Sequence, residues 1–100
     1  MAIDIGMQKL KEDSDTVSYM FYMDIEAEAY IHREGQIRYK LKEIYGYAPL
    51  NKKNQEFIVD EERTDKYFLE NPSYMYRVGA RLLQILKSNQ LFPEKLGIAS

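Results

Sequence analysis

Three carboxylates at two-residue spacing, Asp24, Glu26 and Glu28, precede the single histidine, His32, and a run of cations that includes Arg33, Arg38, Lys40 and Lys42. Carboxylates beside a histidine are the raw material of general acid–base catalysis and of hard-cation binding, so their placement decides whether chemistry is available. A calcium or magnesium site needs several oxygens converging on one point, whereas residues two apart on a strand lie in a row, and facing lysines repel a metal. Metal binding is not expected. A nucleophile relay fares no better, because no serine lies in a G-x-S-x-G elbow. His32 falls at the edge of a turn, the ordinary place for a solvated histidine. No glycine pair forms a phosphate-cradling loop, and no Asp or Glu precedes a lysine by two positions, a strand pairing found in many metal-dependent nucleases. The expectation is a non-enzyme without cofactor.

The element that must position these residues is a strand. From Val17 the odd positions read Val17, Tyr19, Phe21, Met23, Ile25, Ala27, Ala29 and Ile31, and the even ones Ser18, Met20, Tyr22, Asp24, Glu26, Glu28, Tyr30 and His32. That alternation gives one dry face and one wet face. At about 3.3 Å per residue the run would reach roughly 50 Å, so it must twist, bend or carry a bulge. A two-residue turn at Glu34-Gly35 would set Ala27 against Lys42 and mix the faces. A three-residue loop, Arg33-Glu34-Gly35 with a left-handed Gly35, keeps them consistent. That register sets Ile31 opposite Ile37, Ala29 opposite Tyr39, Ala27 opposite Leu41, Tyr30 opposite Arg38, Glu28 opposite Lys40 and Glu26 opposite Lys42. Cross-strand ion pairs of this kind line solvated sheets and contribute about 0.2–1 kcal/mol each.

The remaining chain supplies the rest of an α+β domain. Asn51-Lys52-Lys53-Asn54 reads as a turn and Glu56-Phe57-Ile58-Val59 as a third short strand of an antiparallel meander, with a register the sequence leaves open. Asp60 to Asp65 opens a short helix through about Leu69, with Thr64 as an alternative cap. Asn71-Pro72 reads as N-cap and first helical position of a longer helix to about Ser88. Its apolar stripe is Met75, Val78, Leu82, Ile85 and Leu86, and Gly79 allows close approach. Leu91, Phe92, Leu96 and Ile98, interrupted by Pro93, form a tail that packs back over the core. Ile3, Ile5 and Met7 alternate like a strand, although the six residues before Met7 equally fit an expression remnant. Lys9 to Asp15 reads as a solvated lead-in. The expected architecture over residues 1–100 is a single domain. It has a three- to four-stranded antiparallel meander with a long N-terminal hairpin, covered on one face by one short and one longer C-terminal helix.

Composition narrows the classes of function. At 100 residues, 45% apolar and 30% charged, the chain has the makeup of one folded domain. The absence of cysteine excludes disulfides, thiol catalysis and zinc–thiolate sites. No apolar run approaches the length of a bilayer crossing, and the start MAIDIGMQKLKED shows no basic segment followed by an apolar one, so a soluble cytoplasmic protein is expected. A net charge of −2 offers no basic footprint for nucleic acid. If the helices cover the odd face, Met20, Tyr22 and Ile44 point outward beside Asp24, Glu26, Glu28 and Tyr30. Together these seven form a candidate partner-binding strip. The expected function class is a small binding protein that blocks another protein, of the kind represented by bacterial immunity proteins or phage-encoded inhibitors, with a basic toxin or nuclease as a fitting partner. The alternative is a small-molecule-binding or catalytic domain with a pocket between sheet and helices, lined by Tyr39, Tyr45, Tyr67 and Tyr76.

Overall fold

A computed structural model describes residues 5–99. Four antiparallel strands, β1 (Ile5–Glu12), β2 (Thr16–Ile31), β3 (Ile37–Asn51) and β4 (Lys95–Ile98), form one sheet in the order β3-β2-β1-β4. Two helices, α1 (Lys66–Glu70) and α2 (Ser73–Lys87), pack on a single face of it. The fold is the expected α+β arrangement, with the N-terminal and C-terminal strands added to the hairpin. Alternation along β2 does what the sequence pattern implies near the body: Val17, Tyr19, Phe21 and Met23 are buried, together with Ile44, Ala48 and Leu50 of β3 and Ile5 and Met7 of β1. Phe68, Val78, Leu82 and Ile85 close the core from the helical side.

The helix α2 exists because its apolar residues recur three and four apart, which gives one face to bury. Val78, Leu82 and Ile85 are buried, and Met75 and Leu86 pack partly against the same cluster. Gly79 admits the Phe57 ring, which a Cβ at that position would displace. The start of α2 differs from expectation. Its first turn follows Pro72, which already has helical dihedrals, while the Asn71 side chain turns back and donates to the Tyr67 carbonyl at 2.9 Å, closing α1. Asp65 caps α1 by accepting from the Tyr67 N–H at 2.9 Å.

Two other expectations are corrected, and a third, the tail packing back over the core, holds for Phe92, Leu96 and Ile98 but not for Leu91. Lys9 to Glu12 is no lead-in but the second half of β1, where a bulge at Leu10 shifts the register between Lys9 and Lys11. The bulge brings Lys9 and Glu12 to one side, and Lys9 and Lys52 reach the Glu12 carboxylate at 3.0 and 2.6 Å. The Lys52 contact, with Lys9 second, holds Glu12 below the usual carboxylate range against the opposing effect of burial. Next, Glu56 to Val59 makes a single bridge, Leu50 to Phe57, rather than a strand. The chain from Glu56 to Asp65 instead seals the β3 edge with individual hydrogen bonds, among them Asp60 N–H to the Tyr47 carbonyl and Asp65 N–H to the Tyr45 carbonyl, both 2.8 Å. Finally, the tail returns as β4, pairing Ile98 with Ile5 and Leu96 with Met7, with Phe92 buried but Leu91 left in solvent. Ile5 and Met7 are core, and Ile3 lies outside the described residues.

The hairpin loop is the three-residue one, Arg33–Gly35, with Gly35 at φ 78° and Glu34 also left-handed at φ 65°. Beyond it Ile31 faces Ile37, Tyr30 faces Arg38, Ala29 faces Tyr39 and Glu28 faces Lys40, as expected. There the expected register ends. Ala27 is an extra residue on β2, so Glu26 faces Leu41, Ile25 faces Lys42 and Met23 faces Ile44. A one-residue slip sends every subsequent side chain to the other face. A double-mutant cycle tests this register: Glu28 and Lys40 are expected to couple favourably by about 0.5 kcal/mol at low salt. Glu26 and Lys42 should show none, and coupling of the second pair as strong as that of the first would exclude a bulge at Ala27.

Candidate functional site

The Ala27 bulge determines which residues share a face. Strand β3 carries no bulge, so its odd residues Ile37, Tyr39, Leu41, Glu43, Tyr45 and Tyr47 all project from the side opposite the buried Ile44, Gly46, Ala48 and Leu50. On β2 this outer face holds Ser18, Met20, Tyr22, Asp24 and Glu26 up to the bulge, and Ala29 and Ile31 after it. Glu28 and Tyr30 belong to the opposite face, with Lys40 and Arg38.

The expected seven-residue strip is therefore divided. Met20 and Tyr22 are half-buried on the outer face, and Asp24 and Glu26 are exposed beside them. Glu28 and Tyr30 are exposed but point the other way. Ile44 is a correction: it is 1% exposed and part of the core, because the slip pairs it with Met23 instead of Asp24. His32 sits at the loop as expected, its ring centroid 6.3 Å from that of Tyr30, with no carboxylate hydrogen-bonded to it among the described residues.

Sequence reasoning missed Leu10, Tyr45 and Tyr47 on the outer face. Tyr22 lies across Gly6, whose missing Cβ makes room for the ring, and its centroid is 6.3 Å from that of Tyr45. Tyr47 holds the Arg63 guanidinium over its ring at 4.1 Å from the centroid. Leu10 borders the same hollow as Ser18, Tyr47 and Pro49. The parity of β3 would have revealed these tyrosines once Ile44 was known to face inward.

Electrostatically the outer face is acidic at its middle. Asp24 lies directly opposite Glu43, with Glu26 two residues along, and no ion pair reaches any of the three among the described residues. Like charges directly opposite on a sheet are destabilising. Glu43 takes a hydrogen bond from the Tyr45 hydroxyl, which raises the pKa of that tyrosine. Among the described residues no group of three His, Cys, Asp or Glu is placed to hold a metal ion.

The tyrosines of the alternative reading do not converge. Tyr39 stands out on the hairpin, Tyr45 on the outer face and Tyr76 in solvent, while Tyr67 packs against Tyr74 at a centroid distance of 6.0 Å. The space between sheet and helices is filled by Phe21, Phe68, Val78 and Leu82. A concavity of about 470 Å³ lies instead at the sheet margin, bounded by Gly6, Tyr22, Asp24, Glu43 and Ile98. Among the described residues, no helix is long and apolar enough to cross a membrane. Comparison with protein-family models, with curated proteins and with solved structures finds no match to the chain.

Proposed function

We propose that this is a non-catalytic binding protein of the cytoplasm that neutralises a protein partner through the outer face of its sheet, as immunity proteins and phage-encoded inhibitors do. One observation carries the reading: helices cover a single face, and the other presents Leu10, Met20, Tyr22, Tyr45 and Tyr47 beside the acidic patch of Asp24, Glu26 and Glu43. Aromatic and Met side chains bordered by charge are the makeup of interface cores, since tyrosine offers large contact area at low entropic cost. Asp24, Glu26 and Glu43, with no ion pair among the described residues, favour a partner with a basic surface such as a toxin or nuclease.

A photo-crosslinking residue at Tyr45, expressed in the native host, identifies the partner, which is then purified and titrated with the parent protein. The parent is expected to bind it and suppress its activity. Tyr22→Ala should weaken binding at least about tenfold, and Glu26→Gln should slow association and flatten its salt dependence. A partner that both variants bind as tightly and as fast as the parent, or whose activity is unaffected when bound, overturns the proposal.

A further inference from the structure

The distal half of the hairpin leaves the body altogether. From Asp24 to Glu43 every residue is exposed except Ile25 and His32, which are half-buried, and the molecule is 56 Å long but only 25 by 20 Å across. The outer edge of β3 is sealed only from Tyr45 onward, and the last recorded β1 pair on β2 is Gly6 with Tyr22. Among the described residues, this arm is thus a two-stranded ribbon with both edges open and both faces wet. A lone two-stranded hairpin is marginally stable in water.

Its two faces are unlike. One carries Glu28, Tyr30, Arg38 and Lys40, and the other Ala29, Ile31, Ile37, Tyr39 and Leu41. On the second face Ile31 is 79% exposed, Ile37 69%, Leu41 68% and Tyr39 51%. An apolar face on a free arm needs a cover, and the charge pattern restricts what that cover is. Pairing two β3 edges would set Arg38, Lys40 and Lys42 against their own copies, and the Ala27 bulge disrupts pairing along β2, so extension of the sheet by a like strand is disfavoured. Stacking the two apolar faces leaves Glu28, Arg38 and Lys40 in solvent on the opposite side, and only the carboxylates at the root share the stacked face. Covering these side chains would remove on the order of 600 Å² per copy, about 1,200 Å² in all, which reaches the lower bound for a specific interface.

We infer that the apolar face of the arm is where two copies of this chain meet, arm on arm, in a two-fold dimer. Asp24, Glu26 and Glu43 at the root of the same face keep the arms from aligning root to root. Overlap from root to tip brings those carboxylates to the other copy's loop, where His32 and Arg33 accompany Glu34. The inference does not rest on the proposed partner: the anchor candidates Met20, Tyr22, Tyr45 and Tyr47 lie on the body, and only the root carboxylates Asp24, Glu26 and Glu43 are common to both surfaces.

Sedimentation equilibrium and light scattering on the parent protein at about 100 μM should give twice the 11.9 kDa chain mass, as expected for an interface near the lower size bound. Leu41→Glu and Ile37→Glu, at exposed positions where the fold does not depend on them, should each restore the single-chain mass with an unchanged circular dichroism spectrum. Lys42→Gln, at the arm's charged edge, should remain dimeric. Hydrogen exchange of amides 25–41 should slow as concentration rises in the parent and not in Leu41→Glu. A parent that stays monomeric at this concentration, or a dimer that survives both glutamate variants, overturns the inference. Tyr22→Ala should leave the dimer mass intact, which separates this outcome from failure of the partner reading.

Discussion

Phe21→Ala is expected to lower the unfolding free energy by about 3–5 kcal/mol. Phe21 sits in the middle of β2, paired with Met7 on one side and Gly46 on the other, and is fully buried. Its ring lies over Gly46, occupying the space a Cβ would take, and packs edge-to-face with Phe68, centroids 4.9 Å apart and planes at 75°. The ring thus joins sheet to helix, and truncation leaves a cavity bounded by a rigid strand that has no side chain to move inward. A domain of this size is stable by roughly 5–15 kcal/mol, so the loss is a large fraction of the whole. Gly46→Ala tests the same packing from the other side and should cost about 1–3 kcal/mol by forcing the buried ring out of place. Ile37→Ala, in the same hairpin but on the free arm, should change the stability of the monomer by less than about 0.5 kcal/mol. Urea unfolding followed by circular dichroism measures all three. A Phe21→Ala cost below that of Ile37→Ala would mean that the core does not run beneath this part of the sheet.

The contrast between Phe21 and Ile37 also shows which parts of the fold were legible in the sequence. Residues 17–23 alternate between large apolar side chains and others, and burial of one face fixes their parity. The stripe of α2 and the loop at Gly35 were legible for similar reasons, because period and glycine chemistry are local. The bulge was not. Ile25 to Ala29 alternates apolar residues with glutamates, and where most of the stretch is exposed no burial penalty marks the extra residue. Its consequence, Ile44 turning inward, changed the candidate site more than any other feature. Strands β1 and β4 were obscured for another reason. Their charged residues are satisfied by distant groups: Lys9 bonds Glu94 and the Phe92 carbonyl, and Lys52 bonds Glu12. Such pairings appear only when the chain ends have come together. Tyr22 and Met20 keep the sheet face that strand parity implies because they lie before the bulge, whereas Glu28 and Tyr30 lie beyond it.

Alkaline pH should cost the protein on the order of 2 kcal/mol through one tyrosine, Tyr19. Its side chain is fully buried on the core face, the ring 6.5 Å from Phe92, and its hydroxyl donates to the Pro93 carbonyl at 2.5 Å. Burial, and after it the negative charges of Glu12 and Glu94, push its pKa up to about 12. The unfolded chain ionises near the ordinary tyrosine value of about 10. Because the folded value is the higher one, the folded state retains the proton longer, and the stability this confers is complete below about pH 10 and lost progressively through pH 12. The position of the contact adds a structural consequence. Tyr19 ties β2 to the turn that leads into β4, so ionisation places a charge against a carbonyl that can only accept, and β4 should loosen before the hairpin does. Tyr19→Phe separates the two effects: at neutral pH it should cost about 1 kcal/mol for the lost hydrogen bond, and between about pH 10 and 12 its stability should fall less steeply than that of the parent. Tyr45 and Tyr67 also titrate upward, through hydrogen bonds to Glu43 and Tyr74 respectively, but both variants share them, so the difference in slope belongs to Tyr19. Denaturant midpoints measured across this range, with tyrosinate absorbance recorded alongside, decide the matter. Equal slopes for parent and Tyr19→Phe would show that the hydroxyl is not buried against the tail.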